Sequence, residues 1–344
     1  MSMSNTASGN TSPNLENRLQ IEQLLNAATL SASALTEKSD VISGLTQKPK
    51  SVQARYFYDD DGSQLFEQIC DLPEYYLTRT ETAILQECAK SIAQITGACE
   101  LVELGSGSST KTRILLDAYN QLNLPLHYVS IDVSAGILES SAKALLANYP
   151  SLQVHALVST YELALKQLKP ASLPNRLICF IGSSLGNLNP QECQVFFSQI
   201  TKALQRGEYF LLGIDLHKSK DILEPAYNDS QGVTAAFNLN MLNHLNQRFD
   251  GNFDLTQFEH LAFYNETQRQ IEMYLRSLRA QTVTLNALDL TIEIASDETI
   301  LTEISRKFDL NSIQQELQAQ GLKPMQVWTD ANQHFGVLLC RLLN

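Results

Sequence analysis

The amino-acid sequence predicts an α/β fold with a doubly wound, mostly parallel sheet that ends in an antiparallel strand. From Glu100 onward, short apolar runs alternate with helical patterns of roughly 10 to 15 residues, which is typical of strands buried on both faces. The last two apolar runs are separated by a short polar turn, which predicts a hairpin. Between Lys218 and Arg306 the pattern changes to a long helix followed by alternating strands, which predicts an inserted lobe.

Composition and charge limit the possible partners. The chain has 344 residues, of which 44% are hydrophobic, so it can bury a large core. Its 25 basic and 37 acidic residues give a net charge of −12, which repels phosphodiester backbones and anionic lipid. We therefore expect neither a nucleic-acid partner nor a membrane partner.

Cysteine usage and the amino terminus indicate the compartment. The six cysteines are widely spaced, with no Cys-x-x-Cys pair and no histidine at a zinc-finger spacing, so we expect reduced thiols and no metal. The start of the chain lacks an apolar signal segment, and no apolar run is long enough to span a bilayer. These features predict a cytoplasmic protein, and we expect a monomer.

The predicted elements follow one another in a regular order. Residues 1–14 read as a flexible Ser/Asn/Thr-rich tail, and the next thirty or so as a weakly amphipathic helix. The alternation that follows is "ELVEL", helix 110–121, "LHYVSI", helix 135–149, "LQVHALV", helix 161–168, "RLICFIG", helix 190–205 and "EYFLLGIDL". Helices between consecutive strands imply right-handed parallel crossovers.

The carboxyl-terminal segment narrows the fold class. The runs "KPMQVWTD" and "HFGVLLCRLL" are joined by the short turn "ANQ", so they predict an antiparallel hairpin. A parallel sheet that closes in this way resembles a class I methyltransferase rather than a nicotinamide enzyme. The insert, with helix 232–249 and strands in "QRQIEMYLRSLRAQTVTL", predicts an α+β lobe.

A glycine turn follows the first strand of the alternation, in "VELGSGSSTKTR". A dinucleotide fingerprint needs a third glycine, but the series runs Gly105, Gly107 and then Thr110. The spacing of a phosphate-binding Walker loop is also absent. The turn instead predicts a ligand that lies directly against the backbone at the carboxyl end of the strand.

Asp132 ends the second strand, after "HYVSI". A carboxylate at this position suits a ribose diol, because its two oxygens can accept from both hydroxyls. Adenosine without phosphate fits both the glycine turn and this carboxylate, so S-adenosyl-L-methionine is the predicted cofactor. The alternative interpretation is a tight turn with a helix-capping aspartate.

Six blocks of sequence carry a family resemblance. They are similar, in order, to the histidine Nα-methyltransferases of ergothioneine biosynthesis, and they extend from about Ala54 to the carboxyl terminus. The blocks are "ARYFYDDDGSQLFEQICDLPEYYLTRTE", "ELGSGSSTKTR", "FIGSSLGNL", "AYNDSQGVTAAFN", "IEMYLRS" and "LTEISRKF".

The resemblance implies a reaction and a division into domains. The reaction is three successive methyl transfers from S-adenosylmethionine to the α-amino group of L-histidine, giving hercynine. The implied methyltransferase domain comprises residues 80–217 and 308–344. The implied substrate-binding lobe comprises residues 15–79 and 218–307.

Tyrosines and the "FIGSSLGNL" block supply the implied substrate contacts. Tyr75 and Tyr227 match the family's histidine-binding tyrosines, and Tyr58 matches a third aromatic residue nearby. Tyr58 is the catalytic candidate, because a tyrosine hydroxyl can accept or relay the proton that the amine must lose. Asn187 matches the ligand of the substrate carboxylate, and Gly182 lies in the same block. The alternatives are ordinary lobe packing for the tyrosines and a turn residue for Asn187.

The resemblance assigns substrate choice to the segment "LTEIS". Glu303 and Ser305 lie two residues apart, so in a strand both point to one side. One accepts from an imidazole N–H while the other serves the second ring nitrogen. Met273 narrows the same pocket against a larger indole ring. The alternative for Glu303 and Ser305 is a solvated face.

The cofactor positions match the family with one departure. Gly105, Lys111 and Asp132 match its S-adenosylmethionine contacts. Where the family usually has Asp-Phe after the third strand, this chain has Thr160 and Tyr161. Tyr161 can still cover the adenine, but Thr160 offers a hydroxyl in place of a carboxylate, which predicts weaker cofactor binding.

Two other functions remain open on the sequence alone. One is N-methylation of another amino acid, such as tryptophan, on the same fold. The other is a non-catalytic protein that binds a small molecule.

Overall fold

The structure, a computed structural model, describes residues 17–24 and 27–343. The predicted tail of residues 1–14 lies outside the described residues. The strands are β1 (Leu19–Gln23), β2 (Lys50–Ser51), β3 (Cys99–Leu104), β4 (His127–Asp132), β5 (Gln153–Val158), β6 (Asn175–Phe180), β7 (Tyr209–Asp215), β8 (Phe258–Asn265), β9 (Gln270–Ser277), β10 (Gln281–Leu285), β11 (Leu290–Ile294), β12 (Thr299–Arg306), β13 (Leu322–Thr329) and β14 (Phe335–Leu342). The helices are α1 (Ala27–Thr46), α2 (Asp60–Asp71), α3 (Tyr76–Thr96), α4 (Thr110–Gln121), α5 (Ala135–Asn148), α6 (Tyr161–Gln167), α7 (Pro190–Ala203), α8 (Lys220–Leu223), α9 (Val233–Phe249) and α10 (Leu310–Ala319).

The chain divides into two compact units. Among the described residues, the first unit contains residues 17–24 and 89–179, and the second contains residues 27–88 and 180–343. The predicted division into a methyltransferase domain and a substrate-binding lobe stays a prediction.

The first unit is built on parallel strands in the order β1-β5-β4-β3-β6. All six residues of β3 are buried, as expected for a strand covered on both faces. Helix α4 begins at Thr110 and α5 begins at Ala135, as the sequence predicts. The carboxyl ends of these strands carry the glycine turn and Asp132 on one edge.

The sequence does not predict strand β1. The sequence indicates a weakly amphipathic helix for this region, but Leu19–Gln23 pairs in parallel with Val154–Val158 of β5. Its five residues are too few for periodicity to distinguish a strand from a helix. The prediction of a helix is therefore wrong for these residues, and it is the pairing with β5 that makes them a strand.

The second unit contains the antiparallel strands that the sequence predicts at the end of the chain. Strand β14 runs antiparallel to both β13 and β7, which confirms the predicted terminal strand. The insert adds the long helix α9, the hairpin β10–β11 and strands β8, β9 and β12, which form a four-stranded sheet in the order β2-β12-β9-β8 with β2 from the amino-terminal part of the chain. Its mixture of one long helix and alternating strands agrees with the sequence prediction.

The cysteines and helices show three further properties of the described chain. All six cysteines lie in its described part; none forms a disulfide, and five of the six are buried. No helix among the described residues is both long and apolar enough to cross a membrane. Within the same ranges, no group of three or more His, Cys, Asp or Glu side chains is arranged to hold a metal ion.

Candidate active site

The glycine turn after β3 leaves the backbone uncovered. Gly105 and Gly107 adopt φ values of +71° and +46°, in the left-handed region that favours glycine. A Cβ built on either residue would meet nothing within 4 Å. A ligand can therefore approach the main chain directly at the carboxyl end of β3.

Asp132 holds this turn in place. Its Oδ2 accepts from the Gly107 N–H at 3.1 Å, and its Oδ1 accepts from the Ser134 N–H at 3.0 Å. Helix α5 is capped by Ser134, whose Oγ accepts from the Ile137 N–H, so Asp132 is not the helix cap. Each carboxylate oxygen retains a lone pair, so the half-buried Asp132 can bind a diol while it orders the turn.

Thr160 has a local structural role. It is the N-cap of α6, where its hydroxyl accepts from the Leu163 N–H at 3.4 Å. Tyr161 is the first residue of α6 and Lys111 the second residue of α4, and both are half-buried. Thr160 stands where the family usually has an aspartate. Its hydroxyl therefore already uses one acceptor site within its own helix.

Of the three buried serine hydroxyls in the same unit that lack a protein partner, those of Ser106, Ser130 and Ser159, two lie just after the end of a strand. The Oγ atoms of Ser106, in the glycine turn, and Ser159, after β5, are buried and make no hydrogen bond within the described chain. Buried polar atoms are normally satisfied, so each favours a polar ligand or water nearby. Together with the open glycine turn and the half-buried Asp132, these hydroxyls fit S-adenosylmethionine.

Replacing Thr160 with aspartate is expected to tighten cofactor binding. Aspartate caps a helix well, so one oxygen can keep the Leu163 contact while the other accepts from the adenine amino group. A charged acceptor contributes about 1 kcal/mol more than a neutral one, which corresponds to roughly fivefold in the dissociation constant. Calorimetric titration with S-adenosylhomocysteine measures the change, with Thr160→Ser as the control. Unchanged or weaker binding would mean that another residue already serves the adenine amino group.

The second unit brings the three predicted tyrosines into one aromatic cluster. Ring centroids are 5.8 Å apart for Tyr58 and Phe66, 6.4 Å for Phe66 and Tyr75, and 6.2 Å for Tyr75 and Tyr227. Phe237 of α9 also contacts Tyr58 and Phe66. Tyr75 and Tyr227 are buried, whereas Tyr58 is 39% exposed. The Tyr58 side chain is therefore more accessible to solvent than those of Tyr75 and Tyr227.

The turn that carries Tyr227 is fixed from both sides. Tyr227 ends a short 3₁₀ turn, and Asp229 accepts from the backbone N–H groups of Gln231, Val233 and Thr234 at the start of α9. Burial opposes ionisation of Asp229, but these hydrogen bonds outweigh it and lower its pKa. His260 lies 2.8 Å from the Tyr227 carbonyl oxygen. The phenol is thus held on a rigid segment.

The Tyr227 hydroxyl belongs to a buried polar cluster. It lies 2.8 Å from Ser305 Oγ, and Lys307 Nζ donates to both oxygens at 2.9 Å. Burial raises the pKa of Tyr227 although Lys307 opposes the shift, so the phenol remains protonated at neutral pH. The pair of hydroxyls can therefore donate to a bound polar group.

A carboxylate anchors the lysine. Asp215, at the carboxyl end of β7, accepts from Lys307 at 2.9 Å, from Lys218 at 2.6 Å and from the Tyr76 hydroxyl at 2.7 Å. Burial raises the pKa of Asp215, but the two ammonium groups outweigh it and hold the pKa below its usual value. Burial lowers the pKa of Lys218 to about 8, although Asp215 opposes the shift. The cluster therefore contains a persistent carboxylate charge.

Glu303 lies on β12 opposite the buried Met273 of β9. It makes no hydrogen bond or ion pair with any residue that the structure describes. Burial raises the pKa of Glu303 to about 7, with Lys307 opposing the shift. Ser305, two residues along the same strand, also lies next to Lys307. An uncommitted carboxyl beside a hydroxyl pair is suited to bind a nitrogen heterocycle.

Burial of Glu303 makes stability depend on pH in a defined direction. A folded-state pKa of about 7 lies above the usual 4.5, so the stabilising contribution is complete below about pH 4.5 and is lost as pH rises through 7. Glu303→Gln stays neutral, so its free energy of unfolding should exceed the parent's by up to about 3 kcal/mol above pH 8, with no such gain at pH 4.5. Urea unfolding at the two pH values measures this, and an equal difference at both would contradict it.

Gly182 and Asn187 lie on a loop that Glu81 anchors. Gly182, with φ of +88°, donates its N–H to both Glu81 oxygens at 2.9 Å. A Cβ at Gly213 would lie 1.9 Å from Glu81 Oε1, so glycine is required there. Because the Gly182 N–H is occupied, Gly182 can offer a ligand its carbonyl oxygen but not its N–H.

Asn187 ends the 3₁₀ turn after this loop. The turn lies against β12, since a Cβ on Gly186 would come within 3.0 Å of the Arg306 carbonyl oxygen and 3.5 Å of Ser305 Oγ. Asn187 is half-buried and makes no side-chain hydrogen bond to the described residues. Its amide is therefore available to a ligand near Ser305.

Sequence reasoning missed the polar residues that support this cluster, and some of them carried usable signals. Asp215 ends a predicted strand, which is the signal that identified Asp132, and Lys307 lies inside the "LTEISRKF" block. Glu81 closes the first block of the resemblance. The residues missed are Tyr76, Glu81, Asp215, Lys218 and Lys307.

The chain matches a known protein family over most of its length. A family model described as histidine-specific methyltransferase, SAM-dependent, matches residues 37–342. The chain belongs to this family. The match includes the residues predicted to bind cofactor and substrate, and it confirms both the resemblance and the class I methyltransferase fold with S-adenosylmethionine as cofactor.

Curated relatives agree with the family assignment. The chain is 44% identical over 313 residues to histidine N-alpha-methyltransferase of Mycolicibacterium smegmatis, covering 91% of this chain and 96% of the relative. It is 40% identical over 308 residues to the protein of that name from Mycobacterium tuberculosis, covering 90% and 95%. Ergothioneine biosynthesis protein 1 of Neurospora crassa is 29% identical over 303 residues, covering 83% of this chain and 32% of the relative.

Proposed function

We propose that this methyltransferase transfers three methyl groups from S-adenosylmethionine to the α-amino group of L-histidine, giving hercynine for ergothioneine biosynthesis. One observation supports L-histidine as the substrate. The uncommitted carboxyl of Glu303 lies on the same strand as Ser305, whose hydroxyl pairs with that of Tyr227. Histidine presents a ring with two nitrogens and a carboxylate, which these groups complement.

The cofactor supplies a methyl group on a sulfonium, and the residues of the first unit hold it. Asp132 accepts from the ribose hydroxyls while it keeps the Gly107 turn in place. Gly105 lets the ligand lie against the backbone, Lys111 adds a positive charge at the start of α4, and Tyr161 covers the adenine. Positioning of reacting groups can supply roughly 7 to 11 kcal/mol, so these residues would act by holding the methyl donor in one orientation.

The residues of the second unit bind and orient histidine. Asn187 and Tyr227 donate to the carboxylate, and Glu303 and Ser305 bind the two ring nitrogens. Met273 is buried and lies opposite Glu303 on the neighbouring strand, where it limits the width of the proposed pocket. These contacts fix the substrate at both ends, so the α-amino group between them is held in one orientation.

The amine must be neutral before it can accept a methyl group. Tyr58 is exposed at one end of the aromatic cluster, with its ring packed on Phe66 and Phe237. A hydroxyl at this place can take the amine proton directly or pass it to a water molecule. Tyr75, packed against Tyr227, supplies a second hydroxyl that orients the amino group.

Methylation of tryptophan is the second candidate, and the same residues argue against it. An indole has one ring N–H and no second ring nitrogen, so it cannot use both Glu303 and Ser305. Met273 leaves less width for the larger ring. The available hydroxyls around the substrate site do not favour the third interpretation, a non-catalytic protein that binds a small molecule.

The compartment, the oligomeric state and the partners of the enzyme are also proposals. We propose a cytoplasmic monomer that acts on a free amino acid, without nucleic acid or membrane. The net charge of −12 and the absence of disulfides among the cysteines support this setting. Sedimentation velocity at micromolar concentration tests the monomer.

Mass spectrometry tests the proposed reaction. Purified protein with S-adenosylmethionine and L-histidine should yield mono-, di- and trimethylhistidine in succession, with one S-adenosylhomocysteine per transfer. Histamine, which lacks the carboxylate, is the control and should react poorly. Absence of methylated histidine would refute the proposal, and binding of histidine without turnover would favour the non-catalytic alternative.

A further inference from the structure

Lys307 lies at the centre of the polar cluster but is not one of the proposed substrate contacts. Its Nζ is 2.9 Å from Tyr227 Oη, from Ser305 Oγ and from Asp215 Oδ2. Its side chain is fully buried. An ammonium group has three N–H donors and no lone pair, so these three oxygens use all of its protons.

This arrangement determines how the two hydroxyls use their own protons. Tyr227 Oη and Ser305 Oγ both accept from Lys307, so neither can donate back to it. The two oxygens are 2.8 Å apart, so one hydroxyl donates to the other. The pair therefore has one hydroxyl proton left for a bound molecule.

Asp215 keeps the ammonium group in this orientation. It is fully buried and accepts from Lys307 on Oδ2, while Lys218 donates to Oδ1 and Tyr76 bonds both oxygens. Burial lowers the pKa of Lys307, but Asp215 and Tyr227 raise it more, so the group stays charged. Lys218 shares the carboxylate but has no contact with Tyr227 or Ser305 among its described bonds.

We propose that Lys307 is a positioning residue that, anchored on Asp215, couples the Tyr227 and Ser305 hydroxyls into one unit with a single outward proton for the substrate. The inference rests on the proposed function, because it takes L-histidine as the molecule that meets these hydroxyls. It adds that the contact to the carboxylate and the contact to the ring depend on each other. Loss of Lys307 frees both hydroxyls to rotate, so both contacts weaken together.

A matched pair of variants separates this role from general support of the fold. Lys307→Met and Lys218→Met each remove one ammonium group from Asp215 and leave the other. Binding of L-histidine in the presence of S-adenosylhomocysteine is measured by calorimetry, in the parent and in a Tyr227→Phe/Ser305→Ala background. S-adenosylhomocysteine affinity is measured for every variant.

If Lys307 couples the two hydroxyls, its removal should greatly weaken histidine binding only in the background that keeps both hydroxyls. Lys307→Met should weaken histidine binding about 10- to 100-fold in the parent and less than about threefold in the double-variant background, since coupled residues are non-additive. Lys218→Met should change it less than about threefold in both. Equal effects of Lys307→Met in the two backgrounds, or equal effects of the two lysine variants, would overturn the inference.

A second cycle decides the matter if Lys307→Met does not fold. Tyr227→Phe, Ser305→Ala and the double variant leave all buried charges in place. A shared proton predicts that the loss of histidine affinity in the double variant differs at least about fivefold from the product of the single losses. Independent losses would overturn the inference. A parent that binds no histidine would refute the proposed function itself, and this inference with it.

Discussion

Replacing Glu303 with alanine is expected to lower activity on L-histidine by roughly tens to hundreds of fold. The variant leaves a ring nitrogen of the bound substrate without its partner, which costs on the order of 1 to 3 kcal/mol. Cofactor binding should be unchanged, because Glu303 is not among the residues proposed to contact the cofactor. Steady-state kinetics with histidine, beside S-adenosylhomocysteine titration, measure both. Glu293→Ala, which removes an exposed strand carboxylate, is the control.

The same substitution should relax the choice of substrate. Met273 lies opposite Glu303 on the neighbouring strand, so Met273→Val widens the pocket at that point. The double variant should gain activity on tryptophan as it loses activity on histidine. If Glu303→Ala keeps the parent's preference for histidine in a direct competition, the assignment of specificity fails, although the enzyme remains a methyltransferase.

Replacing Asp132 with alanine is expected to weaken S-adenosylmethionine binding by roughly 10- to 100-fold. The loss combines the hydrogen bonds to the ribose, since bonds to a charged acceptor contribute about 1.5 to 3 kcal/mol, with a looser turn at Gly107. Calorimetric titration measures the affinity, and thermal unfolding measures the cost to the fold.

Asp132→Asn separates the two contributions. The amide keeps one oxygen that can accept from either Gly107 or Ser134, but it lacks the charge. Its affinity should lie between those of the parent and the alanine variant. Parent-like binding by Asp132→Ala would show that the ribose site is wrongly assigned.

Local signals made part of the fold predictable. The sequence predicts the start of α4 at Thr110 and of α5 at Ala135. Both starts depend on turn residues and apolar periodicity that extend over a few residues. The terminal hairpin was recognisable from two apolar runs and a short polar turn. Strand β1 was not, because its five residues become a strand through pairing with β5 rather than through their own pattern.

In the candidate site, too, the sequence predicts only those residues that carry a local signal. Asp132 was identifiable because it ends a strand, and Glu303 and Ser305 because the strand period puts them on one side. The bond between Glu81 and Gly182 joins residues 101 positions apart, so no local pattern indicates it. Nor does any pattern show that Lys307 reaches Asp215, since burial and long-range packing create that pair. The helix-capping role of Thr160 likewise emerged only with the backbone around it.

A competition among the twenty amino acids measures directly whether L-histidine is the preferred methyl acceptor. The protein is incubated with methyl-labelled S-adenosylmethionine and an equimolar mixture of all twenty, and the labelled products are separated by mass. We expect label to accumulate on histidine, through its mono- and dimethyl forms to the trimethyl betaine, with little on tryptophan or any other amino acid. Label on another amino acid in preference to histidine, or on none of them, would contradict this expectation.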